Sequence, residues 1–145
     1  MKIFTILFLT LFLSKGCDGD AQKDLKGATI EYTANTRGFY RKVIVKDQVV
    51  FVSADRNEQA ASVATKISDA DLKLLVDAFS DINLDEIADL KSPTEKRFYD
   101  GAAIANLKIT YKGKTYESAA FDHGNPPVEI EKLADKLVSF IKEEE

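Results

Sequence analysis

From Thr29 to Ala34 apolar and polar side chains alternate, so that Ile30, Tyr32 and Ala34 share one face. A period of two is that of a strand buried on one side. Asn35-Thr36-Arg37-Gly38 breaks the run with turn-forming residues. It resumes from Tyr40 to Lys46, with Val43 and Val45 opposed to Lys42, Ile44 and Lys46. Asp47-Gln48 then turns the chain into Val49–Ser53, a β-branched run suited to a central strand. The charged stretch from Asp55 to Gln59 reads as a loop, and Ser62–Ile67 predicts a further strand. At Ser68 the period changes. Its hydroxyl can cap a helix whose first turn holds Asp69 and Asp71, favourable at the positive end of the dipole. Leu72, Leu75, Val76 and Phe79 fall at helical spacing and form its buried stripe. Ile82, Leu84, Ile87 and Leu90 continue the apolar pattern through a short helical turn that Ser92-Pro93 stops. Asp100-Gly101 is a turn, and Ala103–Tyr111 with Thr115–Phe121 predicts a hairpin about Lys112-Gly113-Lys114. Asn125-Pro126-Pro127 puts a capping residue and prolines before a last amphipathic helix that carries Ile130, Leu133, Leu137, Phe140 and Ile141, with Glu143–Glu145 fraying at its end. The pattern is α+β: antiparallel β-hairpins, or a meander, packed against two amphipathic helices on one face.

The first residues change where such a domain would reside. Lys2 precedes eleven mostly apolar residues, Ile3 to Leu13, and Gly16-Cys17 follows after Ser14-Lys15. This is the pattern of a secretory leader, and the apolar run is too short for a membrane span of about 20 residues. Cys17 is the only cysteine. A lone Cys after Gly at the end of such a run resembles the lipobox of bacterial lipoproteins. Asp18, Gly19 and Asp20 resemble the acidic positions that follow the Cys in Bacteroidetes lipoproteins. The resemblance implies cleavage before Cys17, lipidation of its thiol, and a place in the cell envelope, anchored by lipid to the outer membrane. The alternative is an ordinary secreted protein with a free thiol. The chain then divides into a leader (1–16), a lipidated tether (17–27) and a single domain (28–145).

Loss of Lys2 and Lys15 with the leader leaves 18 basic residues against 24 acidic ones, a net charge of −6. A nucleic-acid partner is not expected of such a surface, since phosphate binding needs clustered Lys and Arg. With lipid as the only link to the membrane, the partner expected is a protein. The 129 residues left suit one domain with a core of its own.

Little in the sequence supports catalysis. His123 is the only histidine, so a site needing two imidazoles is out of reach. A Ser-His-Asp arrangement would have to use His123 and Asp122, and no Ser lies in a G-x-S-x-G setting. Asp81-Ile82-Asn83-Leu84-Asp85 has the oxygen spacing of a calcium loop, but Glu86 stands where Gly is needed and Ser92 where a bidentate Glu belongs. Ile82 and Leu84 are better read as core anchors. No cofactor and no metal are expected. Two polar-aromatic clusters remain: Arg37-Gly38-Phe39-Tyr40-Arg41 and Arg97-Phe98-Tyr99-Asp100. Arg and Tyr are prominent among protein-binding hot spots, which makes Arg37, Gly38, Phe39, Tyr40, Arg97 and Tyr99 candidate partner contacts. Phe39 and Phe98 could equally be core plugs.

Ile30-Glu31-Tyr32, Arg37-Gly38-Phe39, the helix from Leu72 to Phe79 and Asn125-Pro126-Pro127 with Ile130 and Leu133 together resemble the emfourin-like family. The founder of that family inhibits thermolysin-type zinc metalloproteases. The family usually shows Gly-Gly-Phe where this chain has Arg37-Gly38-Phe39. The resemblance spans most of residues 28 to 142 and implies a non-enzymatic domain whose partner is a metalloprotease. Two further readings stand beside it: a structural or carbohydrate-associated accessory lipoprotein, and an enzyme built on Asp122 and His123.

Overall fold

The computed structural model describes residues 25–57 and 62–143, with only the backbone of Glu143. The leader, Cys17, most of the tether, part of the loop after Asp55 and the final two glutamates lie outside the described residues.

The fold is α+β. Strands β1 (Ala28–Thr36), β2 (Phe39–Lys46), β3 (Val49–Ser53), β4 (Val63–Lys66), β5 (Ile104–Tyr111), β6 (Lys114–Glu117) and β7 (Phe121–Asp122) form one antiparallel sheet. The order is β4-β3-β2-β1-β5-β6, with β7 also paired to β5. The alternation read in the sequence sets the two faces. Ile30, Tyr32, Ala34, Val43, Val45, Val50, Val52, Ala105, Leu107 and Ile109 are all buried on one of them. Helices α1 (Asp69–Ser80) and α2 (Glu131–Glu143) supply Leu75, Phe79, Leu133, Leu137 and Phe140 to the same core. The other face carries no helix among the described residues.

Local chemistry accounts for most boundaries. The Ser68 hydroxyl accepts the Asp71 N–H at 3.2 Å and so caps α1. Lys112 and Gly113 both take positive φ, 50° and 76°, the geometry of a tight two-residue hairpin. Asp47 and Gln48 do the same without glycine, at 51° and 64°. Ile82, Leu84 and Ile87 are buried, and Leu84–Asp89 is a 3-10 segment whose Asn83 cap accepts the Asp85 N–H. Asp81 and Asp85 instead face Lys132 and Lys114, each at 3.8 Å.

Two expectations are corrected. Thr115–Phe121 is not one strand: β6 stops at Glu117 and β7 begins at Phe121. The cause is the buried Ser118, whose Oγ accepts the Leu107 N–H at 3.0 Å while its own N–H donates to the Leu107 carbonyl at 2.8 Å. The side chain thus enters the ladder in place of backbone. Asn125 also does not cap the last helix. Its N–H donates to the Asp122 carbonyl at 2.9 Å, Pro127 occupies the cap position, and a 3-10 turn (Val128–Ile130) leads into α2.

Candidate functional site

Asp122 sits at the end of β7 against Ile104, and none of it is exposed. A carboxylate so placed must find donors or go neutral. It finds four. Oδ2 accepts from Thr94 Oγ1 at 2.6 Å and from the Lys96 N–H at 2.7 Å. Oδ1 accepts from the Arg97 N–H at 3.1 Å and from Arg97 Nη1 at 3.0 Å. Burial alone would raise its pKa, but the bonds from Thr94, Arg97 and the two backbone N–H groups outweigh that and hold it at about 2. Asp122 therefore nails down the loop before β5, including its 3-10 turn Lys96–Tyr99. Arg97 is spent in this lock, since Nη1 also donates to Ser92 Oγ and to the Thr94 carbonyl. The neighbouring rings turn outward, Phe98 72% and Tyr99 71% exposed. Gly101 packs closely here, since a Cβ would stand 2.9 Å from the Tyr99 ring and 3.2 Å from the Lys96 carbonyl.

The other cluster forms the β1–β2 connection. Thr36 pairs with Phe39, leaving Arg37-Gly38 as an exposed two-residue turn. A Cβ on Gly38 would meet nothing within 4 Å. Phe39 and Tyr40 point to opposite faces of β2. Phe39 packs on the core, its ring 5.7 Å from that of His123 and under the Arg41 guanidinium at 5.0 Å. Tyr40 is half-buried on the open face beneath the Arg56 guanidinium at 5.8 Å. Arg56 Nη2 donates to the Thr36 carbonyl at 2.6 Å, tying the β3–β4 loop to the turn.

His123 joins the two clusters. Its N–H donates to the Ala103 carbonyl, its ring touches Phe39, and its Nδ1 lies 2.7 Å from the Tyr32 hydroxyl. Burial, and then the negative charge of Asp135, push the Tyr32 pKa up. The hydroxyl thus stays protonated and shares a hydrogen bond with Nδ1, its direction set by the imidazole tautomer. Burial first and Lys142 second lower the His123 pKa below 6.5. A base depressed on folding takes up its proton more readily when unfolded, so stability is intact above pH 6.5 and declines as pH falls below it. Thermal midpoints between pH 7.5 and 5 should show this decline in wild type and a shallower one in His123→Asn. Equal slopes would contradict it.

The register brings all of this to one end of the sheet. The Arg37-Gly38 turn, the loop after Ser53, the loop before Ile104 and the segment after Phe121 cluster there, and with them all four arginines of the chain. The chain enters β1 at the opposite end, beside the turns at Asp47-Gln48 and Lys112-Gly113. The nine residues of β1 separate the two ends by about 30 Å. Sequence reasoning named the two clusters but not their meeting, nor Asp122 as the link. The residue pattern held no signal for it, since an acid next to an inward-facing strand residue ordinarily faces solvent.

Hollows also lie elsewhere among the described residues. One of about 370 Å³ is lined by Leu25, Gln48, Leu72 and Val76 where the chain enters. Another, of about 580 Å³, runs between α1 and α2. Its two lysines are paired, Lys132 with Asp81 and Lys136 with Asp71. Among the described residues no three His, Cys, Asp or Glu side chains gather as a metal site, and no helix is long and apolar enough to cross a membrane. No family model matches the sequence, and no curated protein or solved structure matches it either.

Proposed function

We propose that the protein is a lipid-anchored, non-enzymatic module of the bacterial cell envelope that binds another protein through the arginine-aromatic end of its sheet. The observation that carries this reading is the convergence of two loops rich in Arg and aromatic residues at the end farthest from where the chain enters the domain. A lipid on Cys17 would hold that distal end away from the anchoring membrane. Phe98 and Tyr99 then offer aromatic area that the domain does not use in its own core, and the Asp122 lock orders them before binding, which lowers the entropy lost on association. Arg37 and Tyr40 complete the surface, while Arg97 and Phe39 position it from below. The resemblance to the emfourin-like family makes a thermolysin-type zinc metalloprotease the partner to try first.

Two experiments test the reading. Metabolic labelling with an alkynyl fatty acid should mark wild type and leave Cys17→Ser unmarked; equal labelling of both would remove the anchor. The mature chain, residues 17–145 with Cys17→Ser, should inhibit a thermolysin-type protease. Phe98→Ala or Tyr99→Ala should weaken that inhibition by at least ~2 kcal/mol if the ring is an anchor, with thermal midpoints nearly unchanged. Absence of inhibition at micromolar concentration would sink the inhibitor reading and favour an accessory surface lipoprotein, for which the same rings would stack on a glycan.

A further inference from the structure

Charge is laid out unevenly over the domain. The helical segments 69–90 and 128–143 carry eleven acidic residues against four lysines. The loops at the distal end of the sheet (35–41, 54–57, 91–103 and 118–127) carry six basic residues against four acidic ones, and one of those acids, Asp122, is consumed by Arg97. The open face of the sheet that runs up to this end presents Lys42, Lys46, Lys66 and Lys108 against Glu31 and Glu117. A chain with net negative charge thus keeps one cationic surface, whose crest gathers all four arginines beside Lys91 and Lys96 while the open face below it presents lysines. The difference matters, because a guanidinium presents a planar fork that matches a carboxylate in two parallel bonds. Arg37 stands exposed at the apex of the turn. Arg56 is held in advance, one nitrogen on the Thr36 carbonyl and its plane over Tyr40.

We propose that the distal end of the sheet docks an acidic protein surface, with Arg37 and Arg56 taking its carboxylates and Tyr40, Phe98 and Tyr99 covering the area around them. This rests on the protein-binding reading and adds the sign of the partner's charge. A lipid on Cys17 would attach the domain at the other end of β1, about 30 Å away, which favours a protein over the anchoring membrane as occupant.

The test uses residues 17–145 with Cys17→Ser and a fluorescein-labelled peptide of ten glutamates as probe, read by anisotropy, with a ten-lysine peptide and phosphatidylglycerol vesicles as comparison arms. The glutamate peptide should bind, and binding should weaken as NaCl rises from 25 to 200 mM. Arg37→Gln and Arg56→Gln should each weaken it by about tenfold, the loss of one charge-assisted hydrogen bond. Arg37→Lys and Arg56→Lys should fall between, and Lys73→Gln on α1 should bind as wild type. Melting midpoints should be the same throughout. Several results would overturn the proposal: no preference for glutamate over lysine, glutamine variants that bind like wild type, tighter Arg-dependent binding to the vesicles, or an Arg-dependent self-association at low salt that makes a second copy the occupant. The two readings fail separately. Glutamate binding without protease inhibition would leave this inference standing, whereas inhibition insensitive to salt and to both glutamine variants would remove this inference alone.

Discussion

Asp122→Asn should destabilise the domain by about 3–5 kcal/mol, the range for removing one partner of a buried ion pair. The substitution is nearly isosteric, so the loss comes from electrostatics and not from a cavity. Arg97, whose side chain is only 12% exposed, would keep its charge with no carboxylate beside it, and an amide nitrogen would face donors. A loss of that size lowers the melting midpoint by roughly 10–20 °C in a domain of this length. The sign with pH is fixed by the depressed pKa. The contribution of Asp122 is whole above its ordinary value of 3.8 and is lost as pH falls through about 2. The difference in stability between wild type and Asp122→Asn should therefore be full at pH 7 and shrink between pH 4 and 2. A mutant as stable as wild type at neutral pH would show that the four bonds to Asp122 are worth no more than their exchange with water. Function should follow the lock. With the loop before β5 released, Phe98 and Tyr99 would have to be ordered at the moment of binding, and affinity would fall although neither ring had been altered.

Where the chain's pattern is local, the fold could be read from it. Ile30, Tyr32 and Ala34 at a period of two, Ser68 before a helical stripe, and Gly113 between two β runs each state their structure within a few residues, because strand pleat, helix cap and tight turn are short-range chemistry. The failures have different causes. Ser118 reads as an ordinary strand residue, yet its hydroxyl competes with the backbone for the Leu107 N–H. Asn125 reads as a helix cap, yet its backbone is already bound to Asp122. The first outcome depends on a partner brought near by the folded sheet, the second on a tight turn that competes with the cap within three residues. The candidate site lies further still along that axis. Its decisive contacts join Arg97 to Asp122 and Tyr32 to His123, the latter 91 residues apart. Periodicity can mark Arg37, Tyr40 and Tyr99 as residue types worth watching, but it says nothing of which ones the sheet will gather, or of Arg97 being turned inward while Tyr99 beside it is turned out.

Phenylalanines in three settings allow architecture and binding to be separated by experiment. Phe79→Ala should cost about 3–5 kcal/mol, the range for a fully buried aromatic. Its ring has no exposed surface and meets Tyr111 of β5 edge-on, with centroids 5.3 Å apart and planes at 82°, so the truncation opens a cavity between α1 and the sheet and removes an aromatic pair as well. Urea unfolding should show the midpoint falling with an unchanged slope, the mark of lost stability in an otherwise intact native state. Phe79→Leu should recover most of the loss, since it refills most of the volume. Phe98→Ala should stay within about 0.5 kcal/mol of wild type, as expected for a surface position away from caps and cavities, because its ring is 72% exposed. Phe39, half-buried against His123, should fall between the two. A Phe79→Ala protein within 1 kcal/mol of wild type would mean that the core between α1 and β5 collapses around the gap. A Phe98→Ala protein that melted several degrees early would place that ring in the fold instead of on the binding surface. Only a variant that keeps its melting midpoint and loses its partner can identify a contact, and of the three rings Phe98 alone is positioned to do so.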